Sequence, residues 1–419
     1  MKVRHLYIIG IICFLGITFF LPFNRHSKSG YFNYHSEIWA DKAGYYVYLP
    51  AAFKFNFNAD NFPDSIDTKT GSGFRLDKSN GKVITKYTYG VALMQSPFYC
   101  LADLLAKPLN FQRTGFSPIY HWSINVASVF YLVLGLFFLY KFLHIRFGKR
   151  SSILTVLSIF LATNLFYYSI DETGMSHIYS FSLFCVFLYF LQTTNFLKGQ
   201  RYWPALVFGL LIGLIVLIRP TNILFLSTFF FLDVNYKADV FSRIKRLIRY
   251  RTLMPTIVGA FVIISPQLLY WNYASGSIMN YSYGNEGFNW LAPKFLSTWF
   301  SPNNGLFLYT PFYFLIIGSL LLMIKNKKAN GIFLLILFMT TSYIFSSWWA
   351  WSFGCSFGSR SYVEYLALFS IPAAYIFYEV RKLKTIKIIG FSMIILALIA
   401  LNLKMTYSYD GCFYGENAW

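Results

Sequence analysis

Charged side chains are scarce in this chain. Lys, Arg, Asp and Glu together supply 12% of its 419 residues, about half the share found in soluble globular domains. Acids are scarcer still, 16 against 36 bases. A fully wetted surface cannot be covered with so little charge, which excludes a soluble protein carrying a single anchor. Cysteine is sparse too. Cys13, Cys100, Cys185, Cys355 and Cys412 form no CxxC pair and no metal-ligand spacing, so neither a zinc module nor a disulfide framework is expected. Cys13 and Cys185 lie inside apolar runs, where a thiol behaves as a small hydrophobe. No small-residue cleavage motif follows the first apolar run in LPFNRHSKSG, so that segment reads as a retained helix rather than a signal peptide.

What is abundant is apolar and aromatic, 56% and 21% of the residues. Stretches such as Leu6 to Leu21, Ile124 to Tyr140 and Ile388 to Leu403 approach the roughly 20 residues that cross hydrocarbon. The formal charge of +20 falls in short segments between such runs: Lys141, Arg146, Lys149 and Arg150; Lys198 and Arg201; Lys237 to Arg251; Lys325, Lys327 and Lys328; Arg381, Lys382, Lys384 and Lys387. No basic soluble domain is left to grip a nucleic acid. Clusters of this kind are what the positive-inside bias places on cytoplasmic loops.

The expected fold is an all-α polytopic membrane protein, one transmembrane domain over residues 1–419 with about 11 spans. With Lys2 and Arg4 inside, the spans fall near 6–23, 117–140, 153–170, 176–197, 203–219, 221–234, 255–273, 305–324, 331–349, 362–379 and 388–403. Every basic cluster is then cytoplasmic, and residues 24–115 form one large outer loop. The crossing at 221–234 is short and begins beside Pro220; were 203–234 one broken helix, everything downstream would invert. Of the 16 acids only Asp233, Asp239 and Glu379 fall inside, so carboxylate chemistry has its material outside. Within the outer loop, 33–57 and 89–109 read as interfacial helices. The polar, turn-rich stretch 60–86 reads as a flexible or hairpin-like excursion.

Several outer residues can carry chemistry. Asp41, in WADKAGYYVYLPA, stands at the membrane surface where a carboxylate can act as general base, although a solvated loop acid would look the same. Glu37 lies four residues earlier and would share its face if the segment were helical. Asp171 and Glu172 occupy the turn before His177 opens a span; the three suit a divalent ion or a proton path, and the acids equally suit a helix N-terminus. Arg219, at the end of an apolar run, and Arg360, in WWAWSFGCSFGSRSYVEY, are planar forks suited to lipid phosphate, or headgroup anchors. Pro302 and Gly305 break WFSPNNGLFLYTPFYFL at membrane depth, where irregular backbone needs partners and often lines a cavity.

Asp41 with GYYVYLPA, Glu172 with MSH at 175–177, RPTN at 219–222, SPNNGLFLYTP at 301–311 and SFGSR at 356–360 together resemble the GT-C superfamily of membrane glycosyltransferases. The likeness is to its many-spanned bacterial members of the protein mannosyltransferase and aminoarabinose transferase group. That resemblance implies a polyprenyl-phosphate-linked sugar donor, its phosphate held by the outer arginines Arg360 and Arg219, and a glycan, lipid or protein acceptor. A first-loop acid, Asp41, would serve as base in an inverting transfer on the periplasmic face of a bacterial inner membrane. The commonest family signature pairs two adjacent acids in that loop, whereas Lys42 follows Asp41 here. Metal dependence and the part played by Glu37 are therefore left open, a divalent cation included. A lipid-linked glycan polymerase or ligase shares most of these features. A secondary transporter or flippase would place ionisable residues near mid-membrane and show internal repeats, and neither is evident.

Overall fold

The computed structural model describes residues 2–27, 30–194, 197, 201–234 and 236–409. Lys198 and Cys412 lie outside the described residues, as do the side chains of Lys2 and Arg4. The chain is mostly helical, with a two-stranded antiparallel sheet, Arg75–Asp77 against Lys82–Ile84, that sets Leu76 opposite Val83. Among the described residues three helices are long and apolar enough to cross a membrane: Pro118–Leu161, Tyr250–Ser275 and Thr385–Ser408. Shorter apolar helices include Trp203–Ile218, Phe312–Lys325, Gly331–Ser347 and Leu366–Val380.

Two breaks in these helices are chain reversals. In Pro118–Leu161, Gly148 leaves the helix with φ 73°, a conformation a side chain resists. Thr173 Oγ1 donates to Asn125 Oδ1 at 2.8 Å and Ser128 Oγ to the Ser169 carbonyl at 3.0 Å. These partners stand at nearly equal distances before and after Gly148, so the two arms run antiparallel. The second reversal is at Arg219, which is extended (φ −150°, ψ 124°) before Pro220, as the residue preceding a proline tends to be. Here Asn222 Nδ2 donates to the Ile215 carbonyl at 3.0 Å, and the Phe208 and Phe229 rings meet at 5.0 Å. Both pairs straddle Arg219 symmetrically. The segment 203–234 therefore folds back on itself and is not one broken helix.

The contacts divide the chain into two compact units. One comprises Met1–Leu134, Tyr167–Tyr179 and Gln267–Ser282; the other Gly135–Phe166, Ser180–Pro266 and Tyr283–Trp419. In the first unit the segment before Pro118 shares a core with the start of the helix Pro118–Leu161 and with Tyr270. Tyr46, Tyr48, Phe62, Phe74, Val83, Tyr99, Phe116 and Tyr120 are buried together. The 60–86 stretch is the hairpin alternative, fixed from the side: the backbone N–H groups of Val83 and Thr85 donate to the Tyr273 and Tyr270 hydroxyls at 2.9 and 2.8 Å. Gly90–Ala106 buries Met94, Tyr99 and Ala102 and exposes Leu101 and Leu104.

In the second unit, Phe312–Lys325 and Leu366–Val380 run parallel. Ser319 Oγ donates to the Pro372 carbonyl at 2.6 Å and Asn326 Nδ2 to the Tyr375 hydroxyl at 2.8 Å. Asn402 Nδ2 reaches the Leu161 and Thr163 carbonyls at 2.9 and 3.0 Å. The cysteine expectation needs correcting: Cys355 is disulfide-bonded, while Cys13, Cys100 and Cys185 are free thiols. An odd total with no regular spacing hides a single pair, because partners in a disulfide need proximity in space and not in sequence.

Candidate functional site

Asp41 is the first residue of the short helix Asp41–Tyr46, preceded by Ala40 at φ 47°. That backbone is held from two directions. The Ala40 N–H donates to the Thr70 carbonyl at 2.8 Å, and Thr85 Oγ1 donates to the Gly44 carbonyl at 3.0 Å. Gly73 packs so close that a Cβ there would stand 1.8 Å from the Ala40 carbonyl oxygen. The Tyr87 hydroxyl donates to Asp41 Oδ1, and the Tyr87 ring lies against Tyr45 at 4.4 Å. The carboxylate is partly buried and held by a folded platform. Tyr87 was not singled out from sequence; the two residues lie 46 positions apart.

Glu37 differs from its sequence expectation. Residues before Asp41 form turns, so Glu37 and Asp41 do not share a helix face. Only 3% of Glu37 is exposed. Asn125 Nδ2 donates to Oε1 at 2.6 Å, His121 Nδ1 lies 2.9 Å from Oε2, and His26 Nδ1 lies 3.5 Å from Oε1. Burial pushes the Glu37 carboxyl up, but the hydrogen bond from His121 and the charges of His26 and His121 outweigh it and leave the group at about 2.

The turn at Asp171 and Glu172 is fastened to the same unit. Asp171 pairs with Arg25, and Glu172 Oε2 lies 3.0 Å from Lys42 Nζ. Lys42 is 3% exposed, so the lysine that replaces the expected second acid ties two loops together. Burial raises the Asp171 carboxyl to about 6, with Arg25 pulling the other way. His177 is buried with its ring 4.9 Å from that of Tyr168. The two acids each face a cation. Among the described residues no three His, Cys, Asp or Glu side chains gather as a metal ion would require, so this donor set does not fit a divalent ion.

In the second unit Arg219 Nη1 donates to Glu364 Oε1 at 3.0 Å, and its Nη2 lies 3.4 Å from Ser361 Oγ. Glu364 is buried, 1% exposed, and was not anticipated from sequence; its partner lies 145 residues away. Arg360 opens the turn Arg360–Tyr362, its guanidinium 5.8 Å from the Phe353 ring centre. The loop before it is clamped. Asn304 Nδ2 donates to the Ser352 and Gly354 carbonyls at 2.8 and 3.0 Å, and the Tyr409 hydroxyl donates to the Ser356 carbonyl at 2.6 Å. The Pro302–Gly305 break therefore supplies the asparagine that steadies the arginine loop.

No family model matches this chain, and neither does any curated protein or solved structure.

Proposed function

We propose that this chain is a multi-pass membrane glycosyltransferase that moves a sugar from a polyprenyl-phosphate-linked donor to an acceptor hydroxyl, with inversion, on the periplasmic face of a bacterial inner membrane. The observation that carries the reading is Asp41: a partly buried carboxylate fixed by Tyr87 on the folded first loop. Glu37 suits the base role less well, since it is buried and held at about 2, which makes it a weak proton acceptor. Asp41 would take the proton of the acceptor hydroxyl as the acceptor oxygen attacks the anomeric carbon and the bond from that carbon to the lipid phosphate breaks. In the second unit Arg360 and Arg219, the latter paired with Glu364, are guanidinium forks suited to a lipid phosphate.

The topology behind this reading has about 11 spans. Supporting it, helices assigned the same direction run parallel, as Phe312–Lys325 and Leu366–Val380 do, and the chain reverses at Gly148 and Arg219 where the map needs it to. A disulfide at Cys355 fits an oxidising outer compartment.

Asp41→Asn tests the assignment. Asparagine still accepts the Tyr87 hydrogen bond but takes no proton at neutral pH. Transfer of sugar from purified polyprenyl-phosphate donor should fall by about a hundred to ten thousand-fold, with insertion and thermal unfolding unchanged. A wild-type rate would remove Asp41 from the reaction.

A further inference from the structure

A cleft of about 520 Å³ opens at the basic end of the second unit. None of Asp41, Glu37, Arg219 or Arg360 lines it. Its charged side carries Arg146, Arg243 and Arg246 against Asp233 and Asp239, an excess of one arginine; its apolar wall includes Leu191, Phe229 and Leu232. Arg146 is matched by a bidentate pairing with Asp233, and Arg243 Nη1 donates to the Phe229 carbonyl at 2.7 Å, which fixes its guanidinium at the rim of the apolar wall.

The helix that supplies Arg243 and Arg246, Lys237–Leu247, has no buried residue. Phe241 and Ile244 on it, and Ile248 just beyond, are 70, 39 and 59% exposed at the spacing of one helical face. An isolated helix of this length is marginal in water, so something apolar must cover that face. Between 237 and 251 the chain carries Lys237, Arg243, Lys245, Arg246, Arg249 and Arg251 against the single acid Asp239. Asp239 is engaged with the Tyr236 N–H at the helix start. An apolar face beside a dense basic one is the signature of a helix lying in the interface of an anionic bilayer.

We propose that this cleft binds one anionic phospholipid, its phosphate between Arg243 and Arg246 and its acyl chain along Leu191, Phe229 and Leu232, while Lys237–Leu247 lies in the same leaflet. A free anion would have no use for the apolar wall, and a zwitterionic lipid would leave the excess of arginine unanswered. The proposal needs a membrane-embedded chain but is independent of glycosyl transfer.

Native mass spectrometry of the full chain, released from detergent micelles and titrated with phosphatidylglycerol or phosphatidylcholine, tests it. The first phosphatidylglycerol should bind about tenfold more tightly than phosphatidylcholine, and Arg243→Gln with Arg246→Gln should abolish that preference. Phe241→Ser with Ile244→Ser touches only exposed side chains, so the protein should fold; it should weaken phosphatidylglycerol severalfold. Equal affinity for the two lipids in the wild type, or a preference surviving the arginine changes, would overturn the proposal. So would displacement of the lipid by millimolar inorganic phosphate, which would mark a free-anion site, and unaltered lipid binding after the Phe241 and Ile244 changes.

Discussion

A buried carboxylate, Glu37, and a partly buried one, Asp41, stand four residues apart in the first loop. Glu37 has its oxygens committed to Asn125, His121 and His26, so Glu37→Gln leaves the two histidines without their anion. Losing a buried charged partner costs about 1–3 kcal/mol, and the thermal unfolding midpoint in detergent should drop by several degrees. Asp41→Asn should leave that midpoint alone. An unchanged midpoint for Glu37→Gln would show the buried network to be dispensable. Asp171 allows a pH test. Its carboxyl is raised to about 6, above its ordinary value, so the folded state holds the proton more readily than the unfolded one. This group therefore works against folding above pH about 6, and that effect fades as the pH falls toward about 4. Arg25→Gln removes the cation that opposes the rise, so the stability gap between variant and wild type should be wide at pH 8 and narrow at pH 5. A gap independent of pH would mean that Asp171 stays protonated throughout. Sequence pointed to Asp41, Asp171 and Arg219 as chemically notable but not to Tyr87, Lys42 or Glu364. Each of those partners is brought close only by the fold, and no local spacing announces it.

Helices and turns were more legible than partners. Apolar runs bounded by lysine and arginine mark where helices lie, because the bilayer imposes length and hydropathy on them. The hairpin at Arg75–Ile84 follows from turn-rich polar residues around Val83. Less legible was how firmly the first loop packs: 33–57 and 89–109 read as interfacial helices, yet Tyr46 and Tyr99 are buried. Gly148 also went unnoticed, since a glycine amid FGKRSS looks like any loop glycine until its φ is known. The loop core makes a prediction about Gly73. Any Cβ there meets the Ala40 carbonyl at 1.8 Å, and that contact is backbone, which cannot rotate away. Gly73→Ala should push the hairpin from Ala40 and shift Asp41 off Tyr87. Misplacing a reacting group by about 1 Å can cost a hundredfold in rate. Sugar transfer should fall with the chain still inserted, whereas Gly390→Ala, where an added Cβ meets nothing within 4 Å, should be much milder. Equal effects at the two glycines would detach the Asp41 seat from the reaction.

At the scale of the whole molecule, orientation decides whether the proposed chemistry has a lipid-linked donor or a cytoplasmic one, and the chain's own thiols can report it. Cys100 is free and exposed on Gly90–Ala106, Cys185 is buried, and Cys355 is disulfide-bonded. If residues 24–115 and 350–361 both face outward, a membrane-impermeant maleimide applied to intact cells should label Cys100. A membrane-impermeant reductant given first should raise the labelling by freeing Cys355. A cysteine introduced at 245, among the basic residues 237–251, should stay unlabelled until the membrane is opened. The comparison is internally controlled, because Cys100 and position 245 are read in one chain under one reagent, and Cys100→Ser identifies the native signal. Basic segments resist translocation, so the orientation of short loops follows their lysines and arginines. That leaves 237–251, with six bases, the least able to cross. Labelling at 245 in intact cells without labelling at Cys100 would invert the map, place Asp41 and Arg360 in the cytoplasm beside soluble nucleotide sugars, and remove the reason for a polyprenyl-linked donor.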